Sequence, residues 1–184
     1  MSAGPEQLAL ISLITAILTG ALGGLIIFKP ASAAAAFAAF PRHKNAGMIL
    51  TVIALIWSAL MINQMTLGEL SKYKNLLYVL TPLAFYLVMR YLEELLAPRA
   101  LGGLLMLFPT VMTDAARWHD SSWRLVVVIV AYIMVILGIW LILSPYKFRV
   151  WTSSLTKTPG RARIGGLILL IISGLLVTTT FFTA

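Results

Sequence analysis

Few side chains in this sequence can do chemistry, and three of those lie together. Arg90, Glu93 and Glu94 are spaced i, i+3 and i+4, which on one helix brings the guanidinium within reach of both carboxylates. Charges set in a bilayer are costly and mark proton relays or binding sites. Pro98 follows closely, however, so the three fall near a water boundary, where long side chains snorkel. Interfacial anchoring or a subunit contact is the expected role. A relay would need a second buried acid on another helix, and Glu6, Glu69, Asp114 and Asp120 all map to the opposite boundary.

The two histidines, His43 and His119, raise haem or pigment ligation. Paired axial ligands must meet one ring at one depth, whereas these two are expected on opposite sides of the membrane. The chain has no cysteine, which excludes disulfides, thiolate catalysis and iron–sulfur ligation. No phosphate loop, no serine with a partner base and no metal-ligand cluster is present. The expectation is no catalytic residue, no metal and no cofactor of its own, so the chain is not expected to be an enzyme. A pigment, haem or quinone shared at a partner interface stays open, with Trp57 placed deep enough to pack on another helix, a lipid tail or a quinone.

What must position these residues is a set of membrane helices. Of the 184 residues, 60% are hydrophobic and 11% charged, against about 25% charged for a soluble domain. Six apolar runs stand out: Leu8–Phe28, Ala46–Ile62, Leu76–Leu92, Leu101–Thr113, Leu125–Leu143 and Ile164–Phe182. The fourth is shorter than the roughly 17–25 residues of a spanning helix and carries Pro109. The net charge of +8 is gathered between the runs, which fits lipid headgroups rather than nucleic acid. Lys29, Arg42 and Lys44 follow the first run, and Lys147, Arg149, Lys157, Arg161 and Arg163 follow the fifth. The positive-inside rule puts both loops in the cytoplasm. Runs three and four must then make a return trip, giving an all-α protein of six transmembrane helices with both termini outside. It reads as one transmembrane domain of three hairpins, about 8–62, 76–113 and 125–182.

The first run lacks the basic n-region of a signal peptide and reads as a retained helix. Small residues suggest close helix contacts at Gly20 and Gly24, together with Ala16, and at the helix entrances Gly47, Gly102 and Gly165. Trp118 and Trp123 flank the outer loop and Trp140 and Trp151 the inner one, as aromatic belts do. Asp114, Arg117, Asp120 and Arg124 are placed to form a small outer ion-pair cluster.

The first and last hairpins share an order. Each has a helix, a proline (Pro30, Pro145), an intervening segment, a second proline (Pro41, Pro159), a basic cluster and a glycine. The turn around Pro98, Arg99, Gly102 and Gly103 is a compressed third copy. Proline stops each helix at the interface, and the cations that follow, Arg42, Lys44, Lys147, Arg149, Arg161 and Arg163, are the expected contacts for anionic lipid. Between the prolines, Phe148, Trp151 and Leu155 make one face of an amphipathic helix lying in the headgroup layer. The alanine-rich copy has only Phe37 and Phe40 as anchors.

On Pro145, Tyr146, Lys147, Phe148, Pro159, Arg161, Arg163, Gly165 and Gly166, the stretch Leu137–Thr180 resembles the YjeT-like family of small two-helix bacterial membrane proteins, a domain of unknown function. The first hairpin is similar more weakly, with alanines in place of the basic and aromatic residues. The resemblance implies a bacterial inner-membrane location and no chemistry. The expected function is a non-catalytic accessory or structural subunit of a larger membrane complex, electron-transfer, respiratory or photosynthetic, with other integral membrane proteins as partners. The competing readings are a small-solute or proton transporter or channel, and an assembly factor or lipid-binding regulator.

Overall fold

The computed structural model describes residues 5–64, 75–91, 95–117, 119–157 and 159–183, and all of its regular structure is helical. In chain order the α-helices are α1 (Pro5–Phe28), α2 (Pro30–Ala39), α3 (Lys44–Gln64), α4 (Leu77–Tyr91), α5 (Leu96–Arg117), α6 (Arg124–Leu143), α7 (Pro145–Lys157) and α8 (Pro159–Thr183), with a 3₁₀ turn at Phe40–Arg42. Five of them, α1, α3, α5, α6 and α8, are long and apolar enough to cross a membrane. The protein is therefore an all-α, multi-pass membrane protein.

The expected six-span count changes at two places. The fourth run was expected to be the marginal one, yet α5 has 22 residues and α4 only 15. Pro98 lies in the first turn of α5, where a missing N–H costs nothing, so the helix starts at Leu96 and reaches Arg117. Pro109 is accommodated inside it, and Thr113 Oγ1 donates to the Pro109 carbonyl at 2.9 Å. The described part of α4 rises about 22 Å at 1.5 Å per residue, against the roughly 30 Å of the hydrocarbon core.

The most extensive contacts run between the hairpins of the sequence, although α6 and α8 of the third one also touch. Helix α1 packs most extensively on α8, and α5 on α6 and α3, while α4 rests on α3. The cause is the spacing set by the connectors: α2 has 10 residues and α7 has 13, whereas directly packed helices lie about 8–10 Å apart. Helix α5, the most enclosed of the long helices, fills the space between α3 and α6.

Two seams hold the bundle. Along the α1–α8 contact, α1 buries Leu8, Ser12, Ala16 and Gly23 and α8 buries Ala162, Gly166, Leu176 and Thr179, the stripe of a helix–helix interface. The helices run antiparallel: Ser12 Oγ and Thr180 Oγ1 are 2.9 Å apart, and Ser173 Oγ donates to the Ala16 carbonyl at 2.7 Å. At the second seam, a Cβ on Gly102 would lie 2.7 Å from the Gly138 carbonyl oxygen, and one on Gly138 would lie 2.7 Å from that of Gly102.

The expected packing glycines divide accordingly. Gly20, Gly47 and Gly102 are at close crossings, with Cβ positions 2.6 Å from Ser173 Oγ, 3.0 Å from Ala97 N and 2.7 Å from Gly138 O. Gly24 and Gly165 face open space, and the contacts belong to their neighbours Gly23 and Gly166, whose backbones touch each other. Contact continues from Ala16 to Gly20 by a step of four and from Gly20 to Gly23 by a step of three, because at 3.6 residues per turn an unbroken run of four-residue steps drifts off the facing side.

Candidate functional site

Both connector helices lie at the same end of the bundle, and they pack on one another. The starts of α3 and α5 lie there too, since Gly47 touches Leu96 and Ala97. The expected lipid contacts Arg42, Lys44, Lys147, Arg149, Arg161 and Arg163 are all exposed and all belong to this basic end.

Helix α7 departs from the expected interfacial anchor. Phe148 is buried inside the protein, and its ring meets that of Phe40 edge-on at 6.3 Å. Trp151 is half exposed. The connectors therefore meet through Phe40 and Phe148, while Tyr146, Lys147, Arg149, Val150 and Trp151 of α7 are turned outward. The reason is that α2, built from alanine, offers α7 a surface that one aromatic ring can approach closely.

Two cavities adjoin this contact. An apolar groove of about 490 Å³ runs between α1, α2, α3 and α5, lined by Leu22, Ile26, Ala33, Ala36, Phe40 and Leu50 among others, with Lys29 the only ion among its lining residues. A second cavity of about 330 Å³ is lined by Arg42, His43, Lys44 and Arg149 together with Pro41 and Leu95–Ala97. The two share a wall, for Phe40 and Phe148 line the first and their chain neighbours Pro41 and Arg149 the second. Leu95, at the rim, has a left-handed φ of 58°, which turns the chain directly into α5.

Of the charged triad, Arg90 is exposed in the last turn of α4, and Glu93 and Glu94 lie outside the described residues. His43 lines the basic cavity, whereas His119 is at the far end, its Nδ1 accepting from the Ser121 N–H at 3.2 Å and its Nε2 3.3 Å from the Thr183 carbonyl. No one ring can take both. Among the described residues no three His, Asp or Glu side chains gather as metal ligands.

The outer ion-pair cluster takes another form. Asp114 and Arg117 approach to 3.9 Å and are both well exposed. Arg124 donates instead to the carbonyls of His119 and Arg117, at 2.9 and 3.4 Å. Trp123 stacks flat on Phe182 at 4.9 Å, so this loop, with His119, fastens the end of α8; Trp118 lies outside the described residues. Trp57 packs edge-on against Phe108 at 6.2 Å, taking the helix-contact option among those open to it.

Sequence reasoning missed the hydroxyl seam. Ser12, Thr15, Thr179 and Thr183 are buried, and each donates to a carbonyl of its own helix at 2.7 to 2.9 Å. The signal was present as serine and threonine at seam spacing on the first and last runs. Among the described residues no buried side-chain polar atom lacks a hydrogen bond, so these hydroxyls are structural. No family model, no curated protein and no solved structure matches the chain.

Proposed function

We propose that the protein is a non-catalytic subunit of a larger membrane assembly, crossing the bilayer six times with both termini on the outer face of a bacterial inner membrane. The cation-rich connectors support that orientation by the positive-inside rule, and the resemblance of Leu137–Thr180 to the YjeT-like family agrees with the location. The electron-transfer, respiratory and photosynthetic complexes remain the favoured hosts.

One observation carries the reading: phenol groups point outward from the apolar helices. Tyr86 on α4 and Tyr132 near the middle of α6 are 62% and 64% exposed, and neither hydroxyl finds a hydrogen-bond partner among the described residues. A hydroxyl left in hydrocarbon without a partner costs roughly 2–7 kcal/mol, which an acceptor on a neighbouring membrane helix removes. Helix α4 strengthens the case, being short, held by α3 and lined outward by Tyr78, Val79 and Leu83. Purification from native membranes in mild detergent tests it. A partner should be retained by the wild type and lost on washing from Tyr132→Phe or Tyr86→Phe, which keep the ring and remove only the hydroxyl. A monodisperse monomer with nothing bound would overturn the proposal.

A further inference from the structure

The alanine run of α2 has a consequence for the space above it. Pro30 starts the helix and Pro41 follows its end, so α2 spans about 15 Å at 1.5 Å per residue and holds α1 and α3 too far apart to pack directly. Toward the groove it carries Ser32, Ala33 and Ala36, none long enough to fill the gap, with Phe37 the one large side chain that α2 adds to the lining. The matching stretch of α7, by contrast, carries Phe148, Arg149, Val150 and Trp151. The result is the apolar groove of about 490 Å³, within the roughly 300–1,000 Å³ of small-molecule sites. Surrounded by membrane helices, such a space is filled by hydrocarbon, because water would gain almost no hydrogen bonds there.

The groove is not electrically neutral at its mouth. Lys29 is exposed at the junction of α1 and α2. Helix α2 begins here directly after the end of α1, so the two helix dipoles offset one another and the positive charge at the mouth is that of Lys29. Across the wall formed by Phe40 and Phe148 lie Arg42, His43 and Arg149. An apolar slot bordered by cations on both sides complements an amphiphile with a negative head.

We propose that this groove is a binding site for an anionic phospholipid, with one acyl chain lying on the alanines of α2 and the phosphate held at Lys29, beside the Arg42 and Arg149 cavity. The proposal stands apart from the subunit reading: a monomer can bind the lipid, and an assembled subunit can lack it. The alanine run then acts as the floor of the chain site, and the proline at each end sets its width.

The test is native mass spectrometry of the full-length protein in detergent, titrated separately with phosphatidylglycerol, phosphatidylcholine of the same chains, and inorganic phosphate. Phosphatidylglycerol should bind at least tenfold more tightly than phosphatidylcholine. Lys29→Gln should bring the two within about threefold, and Ala36→Phe, which puts a ring into the groove, should abolish retention of both. Lys29 and Ala36 are exposed, so neither change needs to disturb folding; unchanged helical circular dichroism and elution would verify this. If Ala36→Phe does not fold, Ala33→Leu fills the same floor with a smaller group and should weaken phosphatidylglycerol binding by about tenfold. Equal binding of both lipids by the wild type, unchanged binding after the groove is filled in a folded variant, or displacement of lipid by millimolar inorganic phosphate would overturn the proposal.

Discussion

A methyl group at Gly102 would have to enter space held by a backbone atom, because the Gly138 carbonyl oxygen is 2.7 Å from its Cβ position and cannot rotate away. Gly102→Ala should therefore push α5 from α6 and cost about 1–3 kcal/mol, the usual penalty for overpacking. Gly24→Ala and Gly165→Ala meet nothing within 4 Å and should be neutral or up to about 1 kcal/mol stabilising, through alanine's better helix propensity. Unfolding titrations in mixed micelles would measure all three, and equal effects would contradict the assigned seams. Ser173→Ala removes the donor to the Ala16 carbonyl and should cost only about 0.6 kcal/mol, typical of an interhelical hydrogen bond in a membrane. These assignments also show what single residues disclose. Glycine spacing in the first run pointed to the right helix and to Gly20, but Gly23 and Gly24 are adjacent. Only the partner's identity, α8 running antiparallel, decides which of the two faces the seam.

At the level of elements, prolines and apolar runs were legible and interhelical partners were not. Pro30 and Pro145 were legible as stops after α1 and α6; that they also open α2 and α7 follows from a fixed φ and absent N–H that suit a first helical turn. The length of α5 was hidden because Arg99, Asp114 and Arg117 interrupt the apolar pattern at its ends, although helical hydrogen bonding continues through them. The amphipathic pattern of α7 correctly marked a helix with two unlike faces. By itself it places the apolar face in the headgroup layer, whereas Phe148 is buried against Phe40, because an apolar face suits lipid and protein equally well. The distinction is measurable. Phe148→Ala removes a buried ring packed on Phe40 and should destabilise the protein by about 3 kcal/mol, as deletion of a core aromatic does. Trp151→Ala, on the exposed side, should change stability by less than about 1 kcal/mol while weakening attachment of α7 to the headgroup layer. Thermal unfolding in detergent reads the first effect, and quenching by depth-calibrated lipids in a variant that keeps Trp151 and replaces the other four tryptophans by Phe reads its position.

For the whole molecule the governing constraint is parity. Helices α3 and α5 run parallel, because Gly47 meets Leu96 and Ala97, Gly103 meets Ala54, and Phe108 meets Trp57, so contacts advance together along both chains. The end of α3 and the start of α5 are therefore at opposite ends of the bundle, and the chain from Gln64 to Leu96 has to travel its full height. Helix α4 is the described element available for that journey, although its described part is shorter than the hydrocarbon is thick. A short span is accommodated by local thinning of the bilayer, by snorkelling residues such as Arg90, or by association with another helix. The native chain has no cysteine, so single introduced thiols report the topology without background. In intact spheroplasts a membrane-impermeant maleimide should label Asp114→Cys and Asp120→Cys, and should reach Arg42→Cys, Arg90→Cys and Arg161→Cys only after permeabilisation. The Arg90 position is decisive for α4. Labelling of Arg90→Cys from outside, with Arg42→Cys protected, would mean that α4 turns back without crossing, and the parallel pairing of α3 with α5 would then be untenable.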